Sequence, residues 1–396
     1  MTTEINCLEL FAGCGGLGYG FHKEGFTMVC ANELDGNIAG SYELNFADTT
    51  VITGDITNPE IKTQIYDCFK EVECDVILGG PPCVAYSMAG HRNSRDPRGQ
   101  LFNDYVAAVN KLKPKVFIME NVKGILTIKH DKPKLTKKEK VLADKYYKLE
   151  EEKIKYTELK KNLVYNNNQD SVEYSENETN IKENKKNIKK MAGDTDKFRM
   201  NVTDIIKNKF KDIGYNVDMK LLKASDFGVP QNRERVIFIG VRTDLDKTIS
   251  YPEETHTADG SDGKQKHKTV REAIDDLKEQ PENNKTHHIY TKHSKDFVNK
   301  IKNTNVGQGV NKKYSEAFFR CFPDKPSNTV KENHGGVFVH YEKDRVMTPR
   351  ELARLQSFPD DFIFNGSKSS VLVQLGNAVP CGLSRAIAKE IKKIFI

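Results

Sequence analysis

No C-x-x-C pair occurs among the eight cysteines (Cys7, Cys14, Cys30, Cys68, Cys74, Cys83, Cys321 and Cys381). Neither a zinc site nor a disulfide framework therefore has support, no metal is expected, and reduced thiols are the default. Long apolar runs are also missing: the longest, such as Val236 to Val241, fall far short of the roughly 20 residues a membrane helix needs. No membrane partner is expected. The N-terminal residues lack a basic stretch followed by a long apolar one, so no secretory leader is expected and the cytoplasm is the expected compartment. A large excess of one charge is lacking too. Lys+Arg number 62 against 56 Asp+Glu, a net +6, which permits a nucleic-acid partner without requiring one.

What is present is a chain of 396 residues, long enough for two domains or one with insertions. In its first 125 residues Cys7 to Phe11, Thr27 to Asn32, Asp75 to Gly79 and Val116 to Glu120 read as buried strands separated by helical stretches. That rhythm predicts a parallel α/β sheet, with glycines and acids at the carboxyl edge where such sheets bind ligands. From Lys129 to Lys197 the composition changes to 18 Lys, 14 Asp+Glu and 8 Asn without Arg or Cys, the mark of a solvated insertion. Leu135, Leu142, Leu149, Tyr156 and Leu163 recur every seventh residue, which predicts a charged helix with one narrow apolar stripe. A break is expected over Tyr165 to Asn180, and Ile181, Ile188 and Met191 predict a second helix antiparallel to the first. The α/β grammar resumes with a helix near Asn201 to Asp212 and strands near Asn216 to Lys223 and Arg235 to Val241. Thr243 to Asn328 is polar, rich in turn formers, and holds five of the ten histidines, which suggests a smaller domain. Adjacent His287 and His288 lack metal-ligand spacing. A helix at Arg350 to Gln356 and an amphipathic C-terminal helix close the chain.

Four motifs carry chemistry. Leu8 to Gly18 reads as a strand, a glycine-rich turn and a helix, the layout that admits a nucleotide-like ligand. Glu33, twenty positions after Gly13, and Asp55 are strand-end carboxylates suited to ribose and adenine, equally at home in nicotinamide and S-adenosylmethionine sites. Gly79 to Cys83 sets a thiol after a strand on a Pro-Pro turn; it suits a nucleophile, favoured by Arg92, Arg95 and Arg98, or a buried inert cysteine. Glu120-Asn121 ends a strand on the same edge, as a proton donor or a helix cap. Arg233 and Arg235 share one face of an extended chain; they suit an anionic or carbonyl-rich partner, or structural ion pairs with acids such as Glu234.

In this order the motifs resemble the DNA (cytosine-5) methyltransferase family of bacterial restriction-modification type. The resemblance rests on Phe11-Ala12-Gly13, Glu33, Asp55, Pro81-Pro82-Cys83, Leu101-Phe102, Glu120-Asn121-Val122, and Gln231 with Arg233 and Arg235. It closes with Arg350 to Pro359 and Gly376 to Pro380. It implies a Rossmann-like, mostly parallel α/β catalytic domain over residues 1–242 with the helical insertion at 129–197, a target-recognition domain at 243–347, and a returning segment at 348–396. S-adenosylmethionine, leaving as S-adenosylhomocysteine, would meet Phe11, Gly13, Gly15, Glu33, Leu34, Asp55, Ile56, Pro82, Leu101 and Asn377. Cys83 would be the nucleophile on a flipped-out cytosine, Glu120 would act on the base, Arg235 near its carbonyl, and Arg233 in support. A closing loop over Val84 to Gly99, with Ser87, Arg92, Arg95 and Arg98, and Gln231 beyond it, would contact double-stranded DNA. Val84 departs from the family's usual Gln, and Tyr86 from its common Phe. A monomer with a partner restriction endonuclease is the expected setting. Three other readings stand beside it: an RNA (transfer-RNA) cytosine methyltransferase, a nicotinamide-dependent oxidoreductase, and a non-catalytic DNA-binding module.

Overall fold

The computed structural model describes residues 4–82, 101–166, 168–311, 317–332 and 338–396. The chain divides into two compact units. The larger gathers the described parts of Met1–Val84, Pro97–Lys123 and Phe210–Ile396; the smaller is Gly124–Lys209.

In chain order the first elements are β1 (Asn6–Leu10), α1 (Gly16–Lys23), β2 (Thr27–Glu33), α2 (Gly36–Asn45), β3 (Thr50–Thr53), α3 (Pro59–Asp67), β4 (Val76–Gly79), α4 (Leu101–Leu112) and β5 (Val116–Val122). There follow β6 (Lys129–Asp131), α5 (Lys137–Tyr165), α6 (Val172–Lys190), α7 (Ala192–Phe198), β7 (Arg199–Asn201), α8 (Val202–Asp212), β8 (Tyr215–Lys223) and β9 (Glu234–Arg242). Short helices α9 (Val270–Ile274) and α10 (Lys295–Lys302) precede α11 (Pro349–Leu355), α12 (Lys368–Asn377) and α13 (Cys381–Lys392).

Seven strands form one sheet in the order β3-β2-β1-β4-β5-β9-β8. The first five are parallel; β9 pairs antiparallel with both β5 and β8, so β8 runs in the direction of the first five. The sheet is α/β and mostly parallel, as the strand rhythm predicted. Val76 to Gly79 and Val116 to Met119 are buried throughout because helices cover both faces, which is why these strands read as continuous apolar runs. Connections leave β1 in one direction and reach β4 in the other, so the strand order reverses between them. At such a switch point the loops splay apart and leave a crevice beyond the carboxyl ends.

The C-terminal helices return to this edge. A Cβ on Gly20 of α1 would lie 2.3 Å from the Arg385 amide of α13; only glycine lets the two helices approach so closely. A Cβ on Gly16 would lie 2.5 Å from the Val379 carbonyl oxygen, so the Asn377 to Pro380 segment packs on the glycine turn. Among the described residues no single helix is long and apolar enough to cross a membrane.

In the smaller unit β6 and β7 pair antiparallel. Helix α5 opens with a capping box in which Thr136 and Glu139 exchange hydrogen bonds. Antiparallel packing with α6 is fixed where Lys160 meets Glu178 at 3.0 Å. The break between the helices is shorter than expected: α6 begins at Val172, not after Asn180. Ser171 caps it by accepting from the Tyr174 amide at 3.1 Å, a start signal that the polar run 171–180 hid from a reading based on apolar spacing. The buried seam of α6 is Asn177, Ile181, Asn184 and Met191, two of them polar.

Candidate active site

Register aligns the motif-bearing strand ends. Leu10 pairs with Asn32 and with Gly79, Glu33 with Thr53, and Gly79 with Met119. Phe11, Glu33, Asp55, the Pro81-Pro82 turn and Glu120 therefore emerge along one edge.

After β1 the backbone turns sharply at Phe11 (φ +55°), Gly13 (φ +56°) and Gly15 (φ +91°). A left-handed phenylalanine costs about 1 kcal/mol or more and persists only where surroundings enforce it. Here Ala12 N–H donates to the Asn32 carbonyl at 3.0 Å, and Gly15 N–H to the Ala12 carbonyl at 3.0 Å. Glu33 completes the turn from the next strand. Its Oε2 accepts from Gly13 N–H at 2.8 Å and its Oε1 from Asp35 N–H at 3.1 Å. Open space faces the position a Gly13 Cβ would take, whereas Gly15 is hemmed in by the Phe46 ring at 2.6 Å.

Buried Asn32 ties the next strand end by donating to the Ile52 and Gly54 carbonyls at 2.8 and 3.1 Å. Asp55 follows, exposed, with Oδ1 accepting from Thr57 N–H at 2.8 Å. Leu34 lies 67% exposed, an apolar side chain held in water beside a carboxylate; the Ile56 side chain is buried. Leu101 is half-buried at the start of α4, and Asn377 is exposed at the end of α12.

Two residues that lie inside the motifs, without a role of their own assigned there, support this edge. Glu9 is buried in β1, accepting from Gly18 N–H at 3.0 Å and from the Tyr42 hydroxyl at 2.9 Å. Burial pushes its carboxyl up to about 8, against these two donors, and Glu33 adds to the rise. An acid in the middle of an apolar strand was the available signal. Asn121 is buried and donates to the Pro81 carbonyl at 3.3 Å, which pins the Pro-Pro turn to β5.

Glu120 and Arg235 meet because β5 and β9 pair antiparallel, with Val122 opposite Arg235. Glu120 Oε1 lies 2.5 Å from Arg235 Nε, both side chains about nine-tenths buried. Arg235 Nη1 donates to the Glu234 carbonyl at 2.8 Å. A Gly80 Cβ would stand 3.0 Å from Glu120 Oε2, so the second glycine of the Gly79-Gly80 pair makes room for the carboxylate. Glu234 turns away and pairs with Lys123 at 2.9 Å.

Arg233 and Gln231 point into the protein. Arg233 is buried and donates to the Val330 and Gly376 carbonyls, both at 2.8 Å. Burial and the neighbouring Arg235 charge oppose its own charge. It joins the 330 segment and the end of α12 to the site without reaching the edge itself. Gln231, expected at the DNA, is fully buried. Its Nε2 donates to Gln356 Oε1 at 2.8 Å and to the Leu355 carbonyl at 3.1 Å, and its Oε1 accepts from Val330 N–H at 2.9 Å. Every strong valence of the amide is used inside, which corrects that expectation. Sequence alone shows a polar residue in a polar motif, not which way it points. Cys83, Ser87, Arg92, Arg95 and Arg98 lie outside the described residues; Pro82, exposed, is the last residue described before them.

The model of the C-5 cytosine-specific DNA methylase family matches residues 5–154 and 181–393. The chain belongs to this family. Similar proteins include the type II methyltransferase M.NgoFVII of Neisseria gonorrhoeae, 32% identical over 400 residues, covering 98% of this chain and 86% of the relative. M.DdeI of Desulfomicrobium norvegicum is 29% identical over 448 residues, with 99% and 89% covered. In fold the chain is similar to a chain described as a DNA modification methyltransferase encoded within an E. coli prophage (TM-score 0.67, 22% identity, 99% of each covered). It is also similar to S. pombe Dnmt2 (TM-score 0.56, 15% identity, 100% of each covered). The protein is a DNA cytosine-5 methyltransferase of the restriction-modification type. The donor set fits the S-adenosylmethionine that this methyltransferase family implies: an open glycine turn for a chain of backbone contacts, exposed strand-end carboxylates for hydroxyl and amino groups, and an exposed leucine for a ring face.

Proposed function

We propose that this enzyme methylates carbon 5 of a flipped-out cytosine within a short double-stranded DNA site, through a covalent bond to Cys83. The observation that carries this reading is the Glu120–Arg235 pair, on the edge from which the Pro81-Pro82 turn leads to Cys83.

Carbon 5 of cytosine is a poor nucleophile until a thiolate adds at carbon 6. The Cys83 thiolate forms that bond, and the ring becomes an enamine with nucleophilic carbon 5. Negative charge gathers on N3 and O2 as the bond forms. Glu120, protonated or sharing a proton with the base, donates to N3, and Arg235 donates to O2; donors held in place beforehand stabilise that charge most effectively. Bound S-adenosylmethionine supplies an electrophilic methyl group. Phe11, Gly13, Gly15, Glu33, Leu34, Asp55, Ile56, Pro82, Leu101 and Asn377 would hold it, with S-adenosylhomocysteine as product. Water takes the carbon 5 proton, the N3 proton returns to Glu120, and the electron pair of the carbon 5–hydrogen bond expels the Cys83 thiolate and restores the aromatic ring. A base inside a duplex is out of reach of these groups, so the cytosine must leave the stack, at a cost of a few kcal/mol. Arg233 acts by positioning, through the Gly376 carbonyl beside Asn377. The segment 84–99, with Ser87, Arg92, Arg95 and Arg98, would close over phosphates, and 243–347 would read the site. We place the enzyme in the cytoplasm as a monomer that protects sites from a partner endonuclease.

The test is to incubate the protein and its Cys83→Ala variant with unmethylated plasmid and S-adenosylmethionine, then to map 5-methylcytosine at single-base resolution. Marks confined to one short motif, made by the wild type alone, are expected. Unmarked DNA beside marked RNA, from a wild type that binds S-adenosylmethionine, would overturn the choice of polymer.

A further inference from the structure

The chain's positive charge is concentrated in one place. Gly124–Lys209 holds 21 Lys+Arg and 15 Asp+Glu, an excess equal to the whole +6. Everything outside it is balanced.

Within this unit the charge is graded along the hairpin. Lys160, near the end of α5, bonds Glu178 and lies 4.6 Å over the Tyr174 ring in the first turns of α6. With Lys160 beside Glu178, the antiparallel pairing sets 182–190 of α6 level with about residues 148–156 of α5, and the start of α5 lies beyond them toward the foot of the hairpin. The second half of α6 carries Lys182, Lys185, Lys186, Lys189 and Lys190 against Glu183 alone; the first half of α5 carries Lys137, Lys138, Lys140, Lys145 and Lys148 against Glu139, Asp144 and Glu150. All ten lysines are exposed. Only Lys182 has a carboxylate within pairing distance among the described residues, Glu178 at 3.7 Å. The opposite end reverses the sign: residues 151–181 hold Lys153, Lys155, Lys160 and Lys161 against Glu151, Glu152, Glu158, Asp170, Glu173, Glu176 and Glu178. Because β6 and β7 pair at the entry and exit of the insertion, the basic half is the foot of the hairpin and the acidic half its tip.

An ordinary solvated helix mixes signs at three- and four-residue spacing, since such pairs stabilise it by a few tenths of a kcal/mol and like pairs cost as much. The lysine run of α6 gives up most of those pairs, and a polyanion would offset the loss. Ammonium groups act as mobile point charges, and the hairpin has no arginine for bidentate reading of bases. Lys182, Lys186 and Lys189 share a face over roughly 10 Å of helix, at ~1.5 Å per residue, which matches about three phosphates of one DNA strand. By sequence the unit opens at Gly124, four residues after Glu120.

We propose that the basic foot of the α5–α6 hairpin binds the phosphate backbone of duplex DNA independently of sequence. This rests on duplex DNA being the substrate.

The test uses the full chain with Lys182, Lys185, Lys186, Lys189 and Lys190 changed to Gln, and a matched set changed to Arg. Binding to a labelled mixed-sequence duplex of about 40 base pairs is followed by anisotropy from about 50 to 300 mM KCl. Poly-L-glutamate is the second probe, and methyl transfer to DNA is recorded in the same samples. The Gln set should lower the slope of log K against log salt by about 2 to 3 and weaken binding about tenfold or more at 0.1 M salt, while the Arg set keeps both. Should the Gln set lose helicity by circular dichroism, the five α5 lysines changed to Gln supply the same readout. Unchanged slope and affinity, in an enzyme that still methylates DNA, overturn the proposal alone. Loss confined to poly-L-glutamate also overturns it, in favour of an acidic protein partner. Absence of DNA methylation by the wild type sinks the functional reading, and this proposal with it.

Discussion

Glu9→Gln should make the protein more stable at alkaline pH and barely alter it in acid. The carboxyl of Glu9 is buried, with its folded value raised from 4.5 to about 8. A raised carboxyl favours the neutral form in the fold. Below 4.5 the folded and unfolded chains are both protonated there, and the site costs nothing. As pH climbs from 4.5 toward 8 the unfolded chain releases the proton while the folded chain keeps it, so stability falls by about 1.4 kcal/mol per unit. Near pH 5 the accumulated cost is under about 1 kcal/mol, and near pH 8 about 4 kcal/mol, before allowance for a unit of error in the shift. Glutamine removes this cost and keeps the contacts. Its oxygen accepts from Gly18 N–H, and its amide donates to the Tyr42 hydroxyl, which rotates to accept. The assay is thermal unfolding of wild type and variant at both pH values. A gain of roughly 5–8 °C near pH 8 that shrinks to a degree or two near pH 5 is expected, at about 1.5–2 °C per kcal/mol for a unit of this size. An equal shift at both pH values, or destabilisation near pH 8, would refute the reasoning that Glu9 is held neutral under the glycine turn.

Gln231→Ala strips three buried hydrogen bonds and should cost about 3 kcal/mol or more, seen as a lower unfolding midpoint. DNA affinity of the folded variant in the cold should stay within about twofold, and a tenfold loss without a change in midpoint would restore a direct DNA contact. Leu34→Ala removes an apolar side chain already in water, so stability should stay within about 0.5 kcal/mol. Its effect should fall on cofactor affinity, about tenfold by titration calorimetry, if the side chain covers roughly 50 Å² or more of a ring face at ~25 cal/mol/Å²; an unaltered affinity removes it from the cofactor pocket.

Much of the larger unit was legible because its strands are buried on both faces, so apolar runs, glycine turns and strand-end acids stand in a fixed grammar. β1, β4 and β5 emerged within a residue or two of their predicted limits, and their register then brought Phe11, Glu33, Pro81 and Glu120 to one edge. The start of α6 was missed because Ser171 and a polar first turn carry no apolar period. Gln231 was misplaced because its role depends on Gln356 and Val330, about a hundred residues or more away in sequence.

Local order thus determined which elements form, which strand ends carry carboxylates and glycines, and which family the motifs match, since each of these follows from neighbours a few residues apart. Only the tertiary structure decided the direction of each polar side chain. The antiparallel pairing of β5 with β9 sets Arg235 against Glu120, while Arg233, two residues earlier, is taken by carbonyls of the 330 segment and α12. Alternation along an extended strand would have sent both arginines the same way. Arg233 precedes β9, which begins at Glu234, and the Val330 and Gly376 carbonyls claim it.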